Sequence, residues 1–152
     1  MPTRVRERDN GAKALLKRLR GVADRPVAVS VGVLEEKGNE QHGDDDVTVA
    51  DVATFNEFGL GVPQRSFIRE WADENEAELS KAQQQIGMAV LKGKVDPDKA
   101  ADRFGVFAVG NCQQRIIAGI APPNAESTVE RKGSSTPLID ESILLTSITY
   151  KV

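Results

Sequence analysis

The chain has 152 residues, a formal net charge of −3, one Cys and one His. This length suits one domain, because domains run to about 150 residues, and one Cys with one His excludes an internal disulfide and a Cys/His zinc site. The sequence has no run of the roughly 20 apolar residues that a membrane span needs and no apolar stretch behind its Arg-rich start, so we expect a protein of the aqueous cytoplasm.

The first predicted elements are a helix followed by a strand. Apolar residues recur at helical spacing over 10–23, and valines alternate with other residues over 26–34, which is typical of a strand with one buried face. Glycines and acids without apolar periodicity predict a mobile acidic loop over 35–46. A returning strand is predicted over 47–50.

Three helices are predicted in the middle of the chain. The first covers 49–58, with Gly59 placed as a left-handed C-cap. The second is a long helix of about 25 residues over 66–93. The third begins with the Asp96-Pro97 pair, an N-cap followed by proline at the first helical position, and ends near residue 119. The last two form a helical hairpin.

The C-terminal part combines an extended segment with a closing strand. Prolines predict an extended loop over 120–142, in which 125–131 allow one or two helical turns. Residues 143–145 suit a short helix or strand, and 147–152 alternate as a strand does. We therefore predict one α+β domain over 1–152, with a small antiparallel sheet packed against an N-terminal helix and a long helical hairpin; its strands are 26–34, 47–50 and 147–152.

Groups suited to catalysis are few. Cys112 falls on the apolar stripe of a predicted helix, whereas His42 lies in the acidic loop as an exposed imidazole, so the two do not form a nucleophile and base pair. The Asp44 to Asp46 run is better suited to a solvated loop than to a cation site, and residues 132–135 lack the order of a phosphate-binding loop. We expect no enzyme, no metal and no cofactor. A metal-assisted hydrolase using the acidic loop remains an alternative.

Charge is segregated along the chain. Residues 1–25 hold eight Lys/Arg against three acids, whereas 35–46 hold six acids and one Lys, and 70–78 hold five acids. The basic segment suits either a solvated helix face or contact with a polyanion, which is nucleic-acid phosphate or an acidic surface on a neighbouring subunit. The candidate residues for that contact are Arg4, Arg6, Arg8, Lys13, Lys17 and Arg20.

Two parts of the sequence carry motifs of one known family. The first part reads ATFNEFG at 53–59 and VPQRSFIR at 62–69, and the second reads IAPPNA, STV, RKGSSTPLID and SITY between 120 and 150. The first part is similar to the A-x-x-x-E-F-G and I-P-x-R-P-F-L-R motifs, and the second is similar in order and spacing to the C-terminal ending, of the virion morphogenesis proteins of tailed bacteriophages, the neck and tail-completion group. Ser66 replaces a usual Pro, and Glu141-Ser142 replace a usual Thr-Gly.

The resemblance implies a structural role. It implies a homo-oligomeric ring, six-fold by resemblance, at the head-tail junction of a virion, as a neck, tail-completion or tail-terminator subunit. The implied partners are a connector or head-completion protein and the tail tube protein, and genomic DNA passes through the lumen without sequence-specific binding. The protein would be in the virion, and in the host cytoplasm during assembly. The alternative is a small nucleic-acid-binding regulatory module that uses the basic N-terminus.

Apolar anchors and prolines supply candidate interface residues. Aromatic side chains around the 58–66 turn suit a core or a subunit interface, and both remain open. The prolines of the 120–142 segment hold it extended, so that it either docks on a neighbour or forms an ordered loop. The candidate interface residues are Phe58, Pro63, Arg65, Phe67, Trp71, Pro122, Pro123, Leu138 and Ile139.

Overall fold

The computed structural model of the protein describes residues 9–24, 26–43, 46–124, 138 and 142–152. These residues form an α+β fold with seven helices and a two-stranded antiparallel sheet, which confirms the predicted fold class. The elements in chain order are α1 (Ala12–Asp24), β1 (Ser30–Val33), α2 (Glu35–Gly38), α3 (Val49–Phe58), α4 (Phe67–Glu74), α5 (Glu76–Leu91), α6 (Pro97–Ile117), α7 (Ile143–Ser147) and β2 (Ile148–Lys151).

The sheet joins the two distant parts of the chain. β1 and β2 pair antiparallel, with Ser30 opposite Lys151 and Val33 opposite Ile148. β2 lies directly on α6, where Gly105 leaves room for the ring of Tyr150, since a Cβ at residue 105 would overlap that ring. The sheet and α6, the longest of the described helices, therefore pack against each other as two layers.

The third predicted strand, over 47–50, is wrong. Within the described residues this stretch makes only a single bridge, between Gln41 and Thr48, and α3 begins at Val49. Thr48 and Asp51 form a reciprocal capping box, in which each side chain accepts the other residue's backbone N–H. Hydrogen bonds from the Thr48 hydroxyl and N–H lower the pKa of Asp51. This local cap starts a helix where the alternating valines suggested a strand.

The predicted acidic loop over 35–46 contains regular structure. Its first residues form the short helix α2, and the Gly38 N–H bonds to the carbonyl oxygen of Leu34 at 2.7 Å. His42 was expected to be exposed, but it is buried, and its backbone N–H donates to the carbonyl oxygen of Val47 at 2.9 Å. Asp44 and Asp45 lie outside the described residues.

The long helix predicted over 66–93 is two helices, α4 and α5, that meet at Asn75. The Asn75 backbone leaves the helical region, with φ −107° and ψ 12°. Its side-chain amide donates to the carbonyl oxygen of Trp71 at 2.9 Å, and so competes with the backbone for a helical acceptor. Apolar periodicity continues across the break, which is why the sequence pattern missed it.

The helices α1, α3 and α6 match their predicted ranges closely. Gly59 ends α3 in the left-handed conformation, as expected. Asp96 caps α6 by accepting the N–H of Asp98 at 3.0 Å, with Pro97 in the first turn. The core lies between α3, α4, α6, α7 and the sheet, and α1 contributes no buried residue to it. The largest fully buried side chains of the core are Phe67, Ile116, Leu144, Val49 and Cys112.

Candidate functional site

The segment between α3 and α4, residues 59–66, is held rigidly and is named the connector here. It carries the first stretch of the family resemblance. Glu57, one residue before the end of α3, is 9% exposed, and its carboxylate accepts the backbone N–H groups of Ile68 at 3.0 Å and Arg69 at 3.2 Å. These are free donors in the first turn of α4, and a carboxylate there is also favoured by the helix dipole. Glu57 thus caps α4 from the preceding helix.

The connector is also tied to the end of α3 through backbone groups. The Ser66 hydroxyl and the Gln64 amide both donate to the carbonyl oxygen of Glu57, at 2.8 and 3.2 Å. The Arg65 N–H donates to the carbonyl oxygen of Asn56 at 2.7 Å. A Cβ on Gly59 would lie 2.9 Å from the Cβ of Gln64, so the tight return needs glycine for space as well as for its φ of 71°.

Arg65 joins the connector to the segment that follows α6. Its guanidinium donates to the carbonyl oxygens of Pro122 at 2.9 Å and Pro123 at 3.3 Å, and it also reaches Asn124 Oδ1 at 3.4 Å. The residue is only 7% exposed, and burial lowers its pKa. The planar fork of Arg satisfies several carbonyl oxygens at once, which Lys cannot do. Arg65 therefore joins the first resembling stretch to residues 122–124, at the start of the second.

An exposed apolar patch lies at the start of the connector. Phe58 and Leu60 are each 54% exposed and Val62 is 39% exposed. The Arg69 guanidinium lies 5.6 Å from the centre of the Phe58 ring, a cation–π contact that leaves much of the ring in solvent. These three side chains, named the apolar loop here, sit on a backbone fixed by Glu57, Gln64 and Ser66. An exposed apolar patch on a fixed backbone, such as this apolar loop, is suited to contact with another protein.

The other predicted interface residues divide by burial. Phe67 and Trp71 are core residues with 0% and 4% exposure, which is the alternative that the sequence left open, and the Trp71 Nε1–H donates to Asn111 Oδ1 at 2.7 Å. Leu138 is also buried, whereas the side chains of Pro63, Pro122 and Pro123 are exposed. Ile139 lies outside the described residues. The structure thus leaves Phe58 and the three prolines accessible to a neighbour.

The basic candidates on α1 are exposed. Lys13, Lys17 and Arg20 all face solvent, and they border a shallow depression that also includes Leu16 and Asp24. Arg4, Arg6 and Arg8 lie outside the described residues. Contact with a polyanion through this helix stays a prediction.

Cys112 and His42 are both buried in the fold. Burial, and secondarily the negative charge of Glu57, raises the pKa of Cys112 to about 12, so the thiol stays protonated. In the part of the chain that the structure describes, no group of three or more His, Cys, Asp or Glu side chains could hold a metal ion. None of the described helices is long and apolar enough to cross a membrane. Residues 132–135 lie outside the described residues.

The sequence predicts Ser66 as the N-cap of the following helix; it does stand at that position, but its side chain does not bond to the first turn of α4. Glu57 and Gln64 received no individual role from the sequence. Glu57 caps a helix that begins ten residues after it, whereas the capping signals readable in a sequence span three residues. The available signal was the resemblance itself, which places a Glu before the Phe-Gly turn and an Arg after it.

No protein-family model matches the chain, and no curated protein or solved structure is significantly similar to it.

Proposed function

We propose that the protein is a structural virion subunit of a tailed bacteriophage, which forms a homo-oligomeric ring at the head-tail junction around the DNA channel. The proposal rests on the family resemblance of 53–69 and 120–150. One structural observation supports it above the others: the Arg65 guanidinium joins these two stretches through the carbonyl oxygens of Pro122 and Pro123. Arg65 of the first stretch thus contacts the first residues of the second, although the two are far apart in the sequence.

The proposed ring is hexameric, as in the group that the sequence resembles. It contacts a phage connector protein or head-completion protein, which is a separate protein from the connector segment 59–66, on one side and the tail tube protein on the other. The connector segment 59–66 of this chain supplies a surface for such contacts, because Phe58, Leu60 and Val62 are exposed on a backbone that is already ordered. A preordered apolar surface binds at lower entropic cost than a mobile one. No catalytic residue or cofactor takes part in this role.

A regulatory nucleic-acid-binding module is the second candidate. The exposed Lys13, Lys17 and Arg20 of α1 favour it, since a basic helix free of packing can contact phosphates. It differs from the ring in needing only a monomer, and its binding would weaken steeply with added salt.

Native mass spectrometry with negative-stain imaging tests the first proposal. We expect an assembly with six times the 16.5 kDa mass of the chain and an open central bore, and little affinity for random-sequence duplex DNA in moderate salt. A monomer at every concentration that binds this duplex with a steep salt dependence would instead support the regulatory module.

A further inference from the structure

An open apolar groove lies at the end of the molecule opposite to the connector. It has a volume of about 500 Å³ and runs between α1, the residues before β1, α5 and the first turns of α6. Its walls are hydrocarbon, and they include Leu19, Val22, Val27, Ile86, Val90 and Phe104. Leu19, Val22 and Val27 are 42%, 38% and 36% exposed, so the side chains of the described residues leave the groove unfilled.

The helix α1 forms one wall of this groove, and none of its residues is buried. All its described side chains are exposed, including Leu15 at 42% and Leu16 at 52%. The Arg18 guanidinium anchors α1 by donating to the carbonyl oxygen of Leu91 at 3.3 Å. The guanidinium lies over Gly93, and a Cβ on residue 93 would be 2.6 Å from the guanidinium carbon. An apolar helix face that is anchored but uncovered is suited to a partner.

The groove and the apolar loop lie at opposite ends of α6. Ala100 and Phe104, in its first two turns, line the groove, whereas the connector reaches Pro122 to Asn124, just after its last turn. A helix of 21 residues is about 30 Å long at a rise of ~1.5 Å per residue. One chain therefore carries an apolar recess and, at the other end of α6, a set of exposed apolar side chains that cannot reach it.

The two ends also differ in charge. The α1 wall carries Lys13, Lys17, Arg18 and Arg20 against one acid, Asp24. At the connector end, residues 70–78 hold five acids and no Lys or Arg. Arg115 of α6 pairs with Glu70 and Glu74 there, at 3.6 and 2.6 Å, and Arg69 lies beside Phe58, so the acidic character of this end comes from Asp73, Glu76 and Glu78. Opposite charges on the two ends of the same chain steer one copy onto the next in a single orientation.

We propose that the groove of one copy receives the apolar loop of a second copy of this chain, Phe58, Leu60 and Val62, in a head-to-tail contact. The apolar recess, the exposed apolar side chains and the opposite charges all lie on the same polypeptide, which favours a second copy as the occupant. Such a contact uses two different surfaces and repeats, so it closes into a ring when its rotation allows. This inference deepens the proposed ring and rests on it, by naming the two surfaces that join its subunits.

Complementary variants test the contact. The groove variant carries Leu19→Glu and Val22→Glu on α1, and the loop variant carries Leu60→Asp and Val62→Asp; none of the four residues is buried, so both variants should fold. The control is Val106→Glu, which changes a side chain that is 62% exposed on α6 and belongs to neither surface. Each is studied by native mass spectrometry over a concentration series, with circular dichroism to verify folding.

We expect wild type and control to assemble, and each variant alone to associate about 100-fold more weakly, because carboxylates would be desolvated in an apolar contact. The two variants mixed together should form a one-to-one dimer that grows no further, since the mixture retains one intact groove facing one intact loop. A two-fold symmetric contact is distinguished by wild type, which would stop at a dimer under it, whereas a head-to-tail contact lets wild type grow beyond a dimer.

Three outcomes would overturn the proposal. Rings formed by both variants as readily as by wild type would show that other surfaces join the subunits, and the proposed ring function would stand. Folded variants that stay monomeric when mixed, beside a wild type that assembles, would exclude the head-to-tail pairing. A wild type that is monomeric throughout, with a mixture that is also monomeric, would exclude docking between copies; the ring function itself fails only if the salt-dependent duplex binding described above is also found.

Discussion

Glu57 links two helices through a single side chain. Its carboxylate takes the two N–H groups of α4 that an N-cap side chain would otherwise take, while Ser66, the residue at the N-cap, donates its hydroxyl to the Glu57 carbonyl oxygen. Glu57→Ala leaves these donors without the carboxylate, so we expect a loss of about 1–3 kcal/mol in the free energy of unfolding, and a smaller loss for Glu57→Gln.

Urea unfolding measures this effect. Asp102→Asn, at an exposed position on α6, is the matched control and should change the free energy of unfolding by less than about 0.5 kcal/mol. If Glu57→Ala were as stable as the control, the cap would contribute nothing and the connector would be held by its other bonds alone.

Cys112 provides a second prediction at the same scale. Because its pKa is raised to about 12, the folded thiol should react very slowly with a disulfide reagent at pH 8 and at the ordinary rate after denaturation. The pKa is higher in the folded than in the unfolded state, so this group's contribution to stability is complete below the ordinary thiol pKa of 9.0 and is lost as the pH rises toward about 12. Rapid labelling of the native protein at pH 8 would contradict the buried placement.

Among the elements, the contact between α6 and β2 depends on Gly105. The site is buried, and an added methyl group would meet the base of the Tyr150 ring, which cannot move without shifting β2. We expect Gly105→Ala to destabilise the fold by about 1–3 kcal/mol through overpacking, even though alanine favours helix more than glycine does.

Gly110→Ala is the control on the same helix. A Cβ at residue 110 meets no atom within 4 Å, so the helix preference acts alone and this variant should gain up to about 1 kcal/mol. Thermal unfolding of the two variants side by side separates the effects. Equal stabilisation by both would show that the sheet adjusts without cost.

At the scale of the whole molecule, α1 is the element least integrated into the fold. It has no buried residue and is anchored by Arg18, whereas α6 contributes Ala108, Cys112 and Ile116 to the core. Because exchange protection follows burial and cooperative packing, we expect the α1 amides of the monomer to exchange much faster with solvent deuterium than those of α6. Assembly should slow α1 selectively. Equal protection of both helices in the monomer would show that α1 belongs to the cooperative core.

The elements with signals local to the chain were predictable. Apolar spacing indicated α1, alternation indicated β2, and the Gly59 and Asp96-Pro97 signals marked the end of α3 and the start of α6. Errors arose where a local polar bond overrode periodicity: the capping box at Thr48 starts the predicted helix α3 inside the range that was also predicted as a strand, and the Asn75 amide divides a long helix in two.

The site depends on contacts between residues remote in the chain. The resemblance marked Glu57 and Arg65 in the sequence, but it did not indicate what they contact. Glu57 caps α4, and Arg65 holds the segment after α6, 57 residues later; both contacts follow from how the helices pack. Packing also placed Phe67 and Trp71 inside and left Phe58 outside, although all three are aromatic residues within one short stretch. Caps and periodicity act over three or four residues and can be read from the sequence, whereas burial and long-range hydrogen bonds exist only after the chain has folded around them.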